Sequence, residues 1–195
     1  MNGAGVAVLA VAFAAFSIAV KREVVRNGAA STLNGVSVGK AMPDATLKDT
    51  SGAPVTLSAL RKDKKVVLVN FWGTWCAPCR IEMPAFEKLY KAQRDSGFLI
   101  VAIDEGEPRD SLTRYLAKKP VSFLILIDSA GKFADRLGVQ AFPTSILVTS
   151  DGRVARVVEG LETYLAMEVE GMLRTKGTAA VAAPGAVVRV TKRPQ

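Results

Sequence analysis

Apolar and polar positions divide the chain into four stretches with different patterns. Residues 1–20, "MNGAGVAVLAVAFAAFSIAV", carry no charged side chain. Gly3 to Val20 would make a helix about 27 Å long, close to the thickness of a bilayer core, so the pattern predicts a membrane-anchor helix. A cleaved signal peptide is the rival reading. Its apolar region would be shorter, with a small-x-small site close behind, whereas here "KREVVR" intervenes before Gly28-Ala29-Ala30. Residues 21–36 are small and polar without a period and read as a tether. Residues 177–195, "GTAAVAAPGAVVRVTKRPQ", mix Pro and Gly with no consistent apolar spacing and read as a disordered tail.

Between these lies the folded domain, expected over residues 37–176. Val66 to Trp72 is apolar except for Asn70, the pattern of a strand covered on both faces. Ile81, Met83, Phe86, Leu89 and Tyr90 recur at helical spacing and predict a helix over 79–94. Phe98–Asp104 and Phe123–Asp128 read as further buried strands, with helices expected over 111–118, 132–137 and 163–173. "PTSILVTSDGRVARVVEG" reads as two strands turning at Ser150-Asp151-Gly152. Strands alternating with helices and closing in a hairpin predict an α/β domain with a central mixed β-sheet flanked by helices. No internal repeat is visible.

Charge changes this picture little. The total is +8, but residues 1–36 hold +2 and residues 177–195 hold +3, leaving +3 for the folded part. Nucleic-acid binding needs a basic stripe on the folded surface, so it is set aside.

The candidate chemistry sits in "NFWGTWCAPCRIEMP", residues 70–84, which holds both cysteines of the chain. Structural zinc sites take four ligands, mostly Cys and His; with no histidine and no third cysteine, one chain cannot supply an ordinary site. A staple is a poor use of the pair, because a disulfide that stabilises through chain entropy closes a long loop. Redox exchange suits the spacing. If a helix starts at Ala77 or Pro78, Cys76 lies at its N-terminal end, where free N–H groups and the dipole favour a thiolate. Pro78 fits a first helical turn, which has no partner for its missing N–H. Cys79, one turn later, is placed to resolve a mixed disulfide.

"FWGTWCAPCR", with "VVLVN" before it and "EMP" after it, resembles the thioredoxin fold, and more narrowly the membrane-tethered TlpA/ResA/DsbE-like thiol:disulfide oxidoreductases. The likeness runs from about Val38 to Thr175 and includes "VAIDEGE" and "LGVQAFPTSILVTSDGRV". The resemblance implies that Cys76 attacks and Cys79 resolves. It implies that Pro143 is a cis-proline facing the pair, whereas the residues alone suggest an ordinary trans-proline opening a strand. Glu82 matches an acidic position of the ResA-like subgroup. It lies three residues after Cys79 and so on the same helical face, where a carboxyl can act as general base; a solvated helix glutamate is the plainer alternative. Glu107 matches a second acidic position near the site. Trp75, Ala77, Pro78, Phe142 and Thr144 would surround the disulfide, and Trp72 is expected beside it or in the core. Where ordinary thioredoxins carry a buried aspartate before the motif, this chain has Asn70, which cannot take a proton.

The resemblance further implies a monomer in a bacterial inner membrane, with its domain on the periplasmic side. Its redox group would be the Cys76–Cys79 disulfide, without a cofactor. Its substrates would be protein disulfides, apocytochrome c among them, with electrons from a membrane thiol donor. The flanking charges point the other way, since Lys21, Arg22 and Arg26 follow the apolar segment and basic residues favour the cytoplasm. Three rivals remain open: an oxidase or isomerase running the same exchange in reverse, a peroxiredoxin-like peroxidase, and a redox-inert binding module.

Overall fold

The computed structural model describes residues 33–175. The expected anchor at 1–20, most of the tether and the tail at 177–195 lie outside the described residues. Among those residues, no helix is long and apolar enough to cross a membrane. The tether reading at 21–36 needs one correction, because Leu33 and Val36 are core residues at 5% and 2% exposure. Two apolar residues are too few to show a period, so their burial was hidden. Gly35 between them donates to the Leu137 carbonyl at 3.1 Å, and a Cβ there would stand 2.1 Å from the Arg136 oxygen.

Seven strands form one mixed sheet in the order β2-β1-β5-β4-β3-β6-β7. They are β1 (Thr46–Asp49), β2 (Pro54–Thr56), β3 (Val66–Trp72), β4 (Phe98–Glu105), β5 (Leu124–Asp128), β6 (Thr144–Thr149) and β7 (Val154–Glu159). Among the described residues five α-helices accompany them: α1 (Leu57–Leu60), α2 (Ala77–Gln93), α3 (Arg109–Lys118), α4 (Lys132–Leu137) and α5 (Leu165–Arg174). Every residue of β3 and β4 is buried, as the apolar runs required, and the polar Asn70, Asp104 and Glu105 are buried with them. This is the mixed-sheet, helix-flanked α/β arrangement of a thioredoxin-like fold. Arg156 on β7 pairs with Glu162 at 2.8 Å and with Glu168 on α5, fastening the last helix to the edge strand.

Two registers decide where the site forms. β3 runs parallel to β4, setting Trp72 beside Asp104. β3 runs antiparallel to β6, setting Phe71 beside Thr144. The end of β3, the end of β4 and the start of β6 therefore meet at one end of the sheet's inner strands, and the loop 73–76 leaves β3 there. Crevices at the carboxyl ends of parallel strands are where α/β sheets place their sites.

Candidate active site

Cys76 and Cys79 form a disulfide, with 5.3 Å between their Cα atoms. Cys76 is the N-cap of α2, in extended backbone conformation, and its sulfur accepts from the Cys79 N–H at 3.3 Å. Ala77 and Pro78 open the helix, so the pair occupies the dipole-positive end that the spacing called for. Pro84 lies inside α2, and its missing N–H removes the ordinary bond to the carbonyl of Arg80. Cys76 is 2% exposed and Cys79 fully buried, so a partner reaches Cys76 first.

The loop before Cys76 is anchored on every side. Both Glu107 oxygens are engaged by Thr74, by its N–H at 2.7 Å and its hydroxyl at 2.6 Å. Arg80 donates to the Thr74 carbonyl at 2.6 Å. The Trp75 indole N–H donates to the Glu105 carbonyl at 3.0 Å. Gly73 lies under the Trp75 ring, and a Cβ there would fall 2.4 Å from the indole nitrogen, so this position has no room for a side chain. Glu107 is thus the anchor of the loop. Trp75 packs edge-on against Phe142, with ring centroids 5.2 Å apart. Trp72 is fully buried and packs against Tyr115.

The Phe142–Pro143 peptide is cis. The Pro143 carbonyl accepts from Gly160 N–H at 2.7 Å, and the Thr144 hydroxyl donates to the Ala141 carbonyl at 2.8 Å. Phe142, Pro143 and Thr144 are all buried; Pro78 and Trp75 are half-buried and Ala77 is exposed.

Glu82 lies one turn after Cys79 on the inward side of α2, at 6% exposure. Burial pushes its carboxyl up to about 8, while a hydrogen bond from Asn70 acts in the opposite direction. That bond, from the Asn70 amide, is 2.9 Å long, and the same amide donates to Ser145 Oγ at 3.1 Å. The solvated-glutamate alternative is therefore excluded by position. Sequence reasoning passed over four participants: Thr74, Arg80, Ser145 and Asp104. Asp104 had a signal, since it is the first acid after the apolar run Phe98–Ile103 within one strand. Thr74, Arg80 and Ser145 had none, because each contributes through a contact made only in the fold.

A disulfide at a helix start, a neighbouring proline turn and a buried acid on the same helix define a thiol:disulfide oxidoreductase of thioredoxin-like fold. The family model "Redoxin" matches residues 37–172. Thiol-disulfide oxidoreductase ResA of Bacillus subtilis (strain 168) is 35% identical over 128 residues, 66% of this chain and 70% of that protein. ResA of Geobacillus thermodenitrificans (strain NG80-2) is likewise 35% identical over 128 residues, covering 66% and 72%. A thiol:disulfide interchange protein from Bacteroides sp. superposes with TM-score 0.63 at 25% identity, over 72% of this chain and 92% of that one. StoA from Bacillus subtilis, at 22% identity and TM-score 0.55 over 68% and 98%, shares the fold. The chain belongs to the redoxin family and is a ResA-like thiol-disulfide oxidoreductase.

Proposed function

We infer that this protein reduces protein disulfides outside the cytoplasm, tethered to a bacterial inner membrane by residues 1–20. The observation that carries the reading is a buried Glu82, raised to about 8, one helical turn from Cys79. In the reduced enzyme, the Cys76 thiolate attacks one sulfur of the substrate disulfide. A Cys76–substrate bond forms, and the displaced substrate sulfur leaves as a thiolate that takes up a proton. Glu82 then accepts the Cys79 proton, and Cys79 attacks Cys76 Sγ. The Cys76–Cys79 disulfide closes and the second substrate thiol departs. Two electrons pass to the substrate; a membrane thiol donor restores them. The resolving step needs a base near its own sulfur, and a carboxyl titrating near neutrality exchanges a proton in both directions. The backbone beside Pro143 is read as the segment that pairs with an extended substrate strand, and apocytochrome c haem-site cysteines are the substrate expected from the likeness to ResA.

The test is the in vivo redox state of the pair, by acid quenching and alkylation with a mass-shifting maleimide. A mostly reduced pair in a domain outside the cytoplasm supports a reductase fed with electrons. A mostly oxidised pair there overturns it in favour of a disulfide donor, because direction follows the potential relative to the compartment. A reporter fused after Val36 that is active only in the cytoplasm overturns the location.

A further inference from the structure

Asp104, next to last in β4, takes no part in the exchange steps. It is fully buried, and neither oxygen receives an N–H or O–H donor from the described residues. Its hydrogen-bonding neighbour is the Glu107 carboxyl. Glu107 accepts from Thr74 at both oxygens, so both are already in use as acceptors. A second carboxylate against it, away from water, is opposed by desolvation and by like charge. One of the two must hold a proton, and the Thr74 bonds leave that proton to Asp104.

We propose that Asp104 is a positioning residue of the redox site: as a neutral acid it donates its proton to Glu107, and so steadies the carboxylate that holds Thr74 two residues before Cys76. The charges acting on Asp104 are those of Glu107 and Glu105, both negative. From neighbouring elements, β5 brings Asp128, whose carboxylate is occupied by the Phe133 and Ala134 amides at 2.8 and 3.0 Å. α3 brings Tyr115, packed on Trp72. α2 brings Glu82, bonded to Asn70, and Arg80, which is bound to the Thr74 carbonyl. Burial first, then Glu107, pushes the Asp104 carboxyl up to about 9. Ionising Asp104 therefore sets two anions face to face and drives Glu107 off Thr74, loosening the loop that carries Trp75 and Cys76.

The role matters for catalysis because Cys76 is read as the attacking thiol. Its test, however, uses the oxidised full-length protein, where neither cysteine titrates, and so stands or falls apart from that reading. NMR would follow the Asp104 carboxyl carbon and the hydrogen-exchange protection of the Thr74 amide against pH. A protonated Asp104 at pH 7 is expected, with Thr74 protection lost at a midpoint near 9. Asp104→Asn keeps an N–H donor toward Glu107 and should keep Thr74 protected without the alkaline transition. Asp104→Ala should lower Thr74 protection at neutral pH by about tenfold. An ionised Asp104 at pH 7, or an Asn variant with the same alkaline transition, overturns the assignment. Should the Ala variant fail to fold, the wild-type carboxyl signal and the Asn variant decide.

Discussion

Glu82 and Asp104 are both carboxyl groups removed from water near β3, yet their partners differ in kind. Glu82 faces a neutral amide, Asn70, whose N–H favours the charged form and limits the effect of burial. Asp104 faces another carboxylate, which adds to burial instead of opposing it. The first acid is therefore poised near neutrality, where it can take and return a proton. The second is held protonated beyond that range, where its use is to donate one lasting hydrogen bond. Burial alone does not make an acid catalytic; the partner decides whether its proton moves or stays.

The comparison presumes one attacking sulfur, and the largest expected effect tests it. Cys76→Ser should bring disulfide reduction in an insulin assay to background, and residual turnover would leave neither acid with a reaction to serve. Next in size, Glu82→Gln should slow resolution of the mixed disulfide by about a hundredfold with little change in the initial attack, read by stopped-flow on the two steps. Equal slowing of both would remove the distinction between the two acids.

Stability against pH gives a third, smaller effect. The folded state binds the Glu82 proton more tightly than the unfolded chain, whose value is near 4.5. Stability must then fall as pH rises from about 4.5 to about 8 and level off above it, the opposite of a salt-bridged carboxylate. By pH 7 the loss from this group is about 3 kcal/mol. Asp104 acts in the same direction over the wider window from 3.8 to about 9. Glu82→Gln should roughly halve the slope between pH 4.5 and about 8 in denaturant melts of the oxidised protein, leaving the part due to Asp104. A profile that rises between pH 5 and 8 would contradict both assignments. The smallest effect belongs to Ser145→Ala, which removes one acceptor of the Asn70 amide; a cost of about 1 kcal/mol with the Glu82 midpoint nearly unmoved would show that Asn70 holds Glu82 without that support.

Much of this was legible before the fold was known. Val66–Trp72, Lys132–Leu137 and the turn at 150–152 were read from pattern alone, because a fully buried strand and a short amphipathic helix each leave a local signature. The hairpin β1–β2 and helix α1 were not. Four half-exposed residues, three more opening with Pro54 on an edge, and a single turn of helix carry too little periodicity to separate from loop. The site divides in the same way. Cys76, Pro78 and Cys79 announce themselves through spacing along one helix start. Glu82 was reached through the family resemblance, as an acid one turn after Cys79, but its link to Asn70, twelve residues back, was not.

The sequence by itself determined the redox chemistry, since a thiolate at a helix N-terminus with a second thiol one turn on needs only local geometry. It also determined which strands are buried, since apolar runs have one low-energy destination. Only the tertiary structure decided which acids carry which duty. Desolvation depends on every layer packed around a carboxyl, and the contacts of Asn70 with Ser145, or of Thr74 with Glu107, join residues 75 and 33 positions apart. Those distances are closed by the parallel and antiparallel registers of β3, which no short stretch of chain can specify.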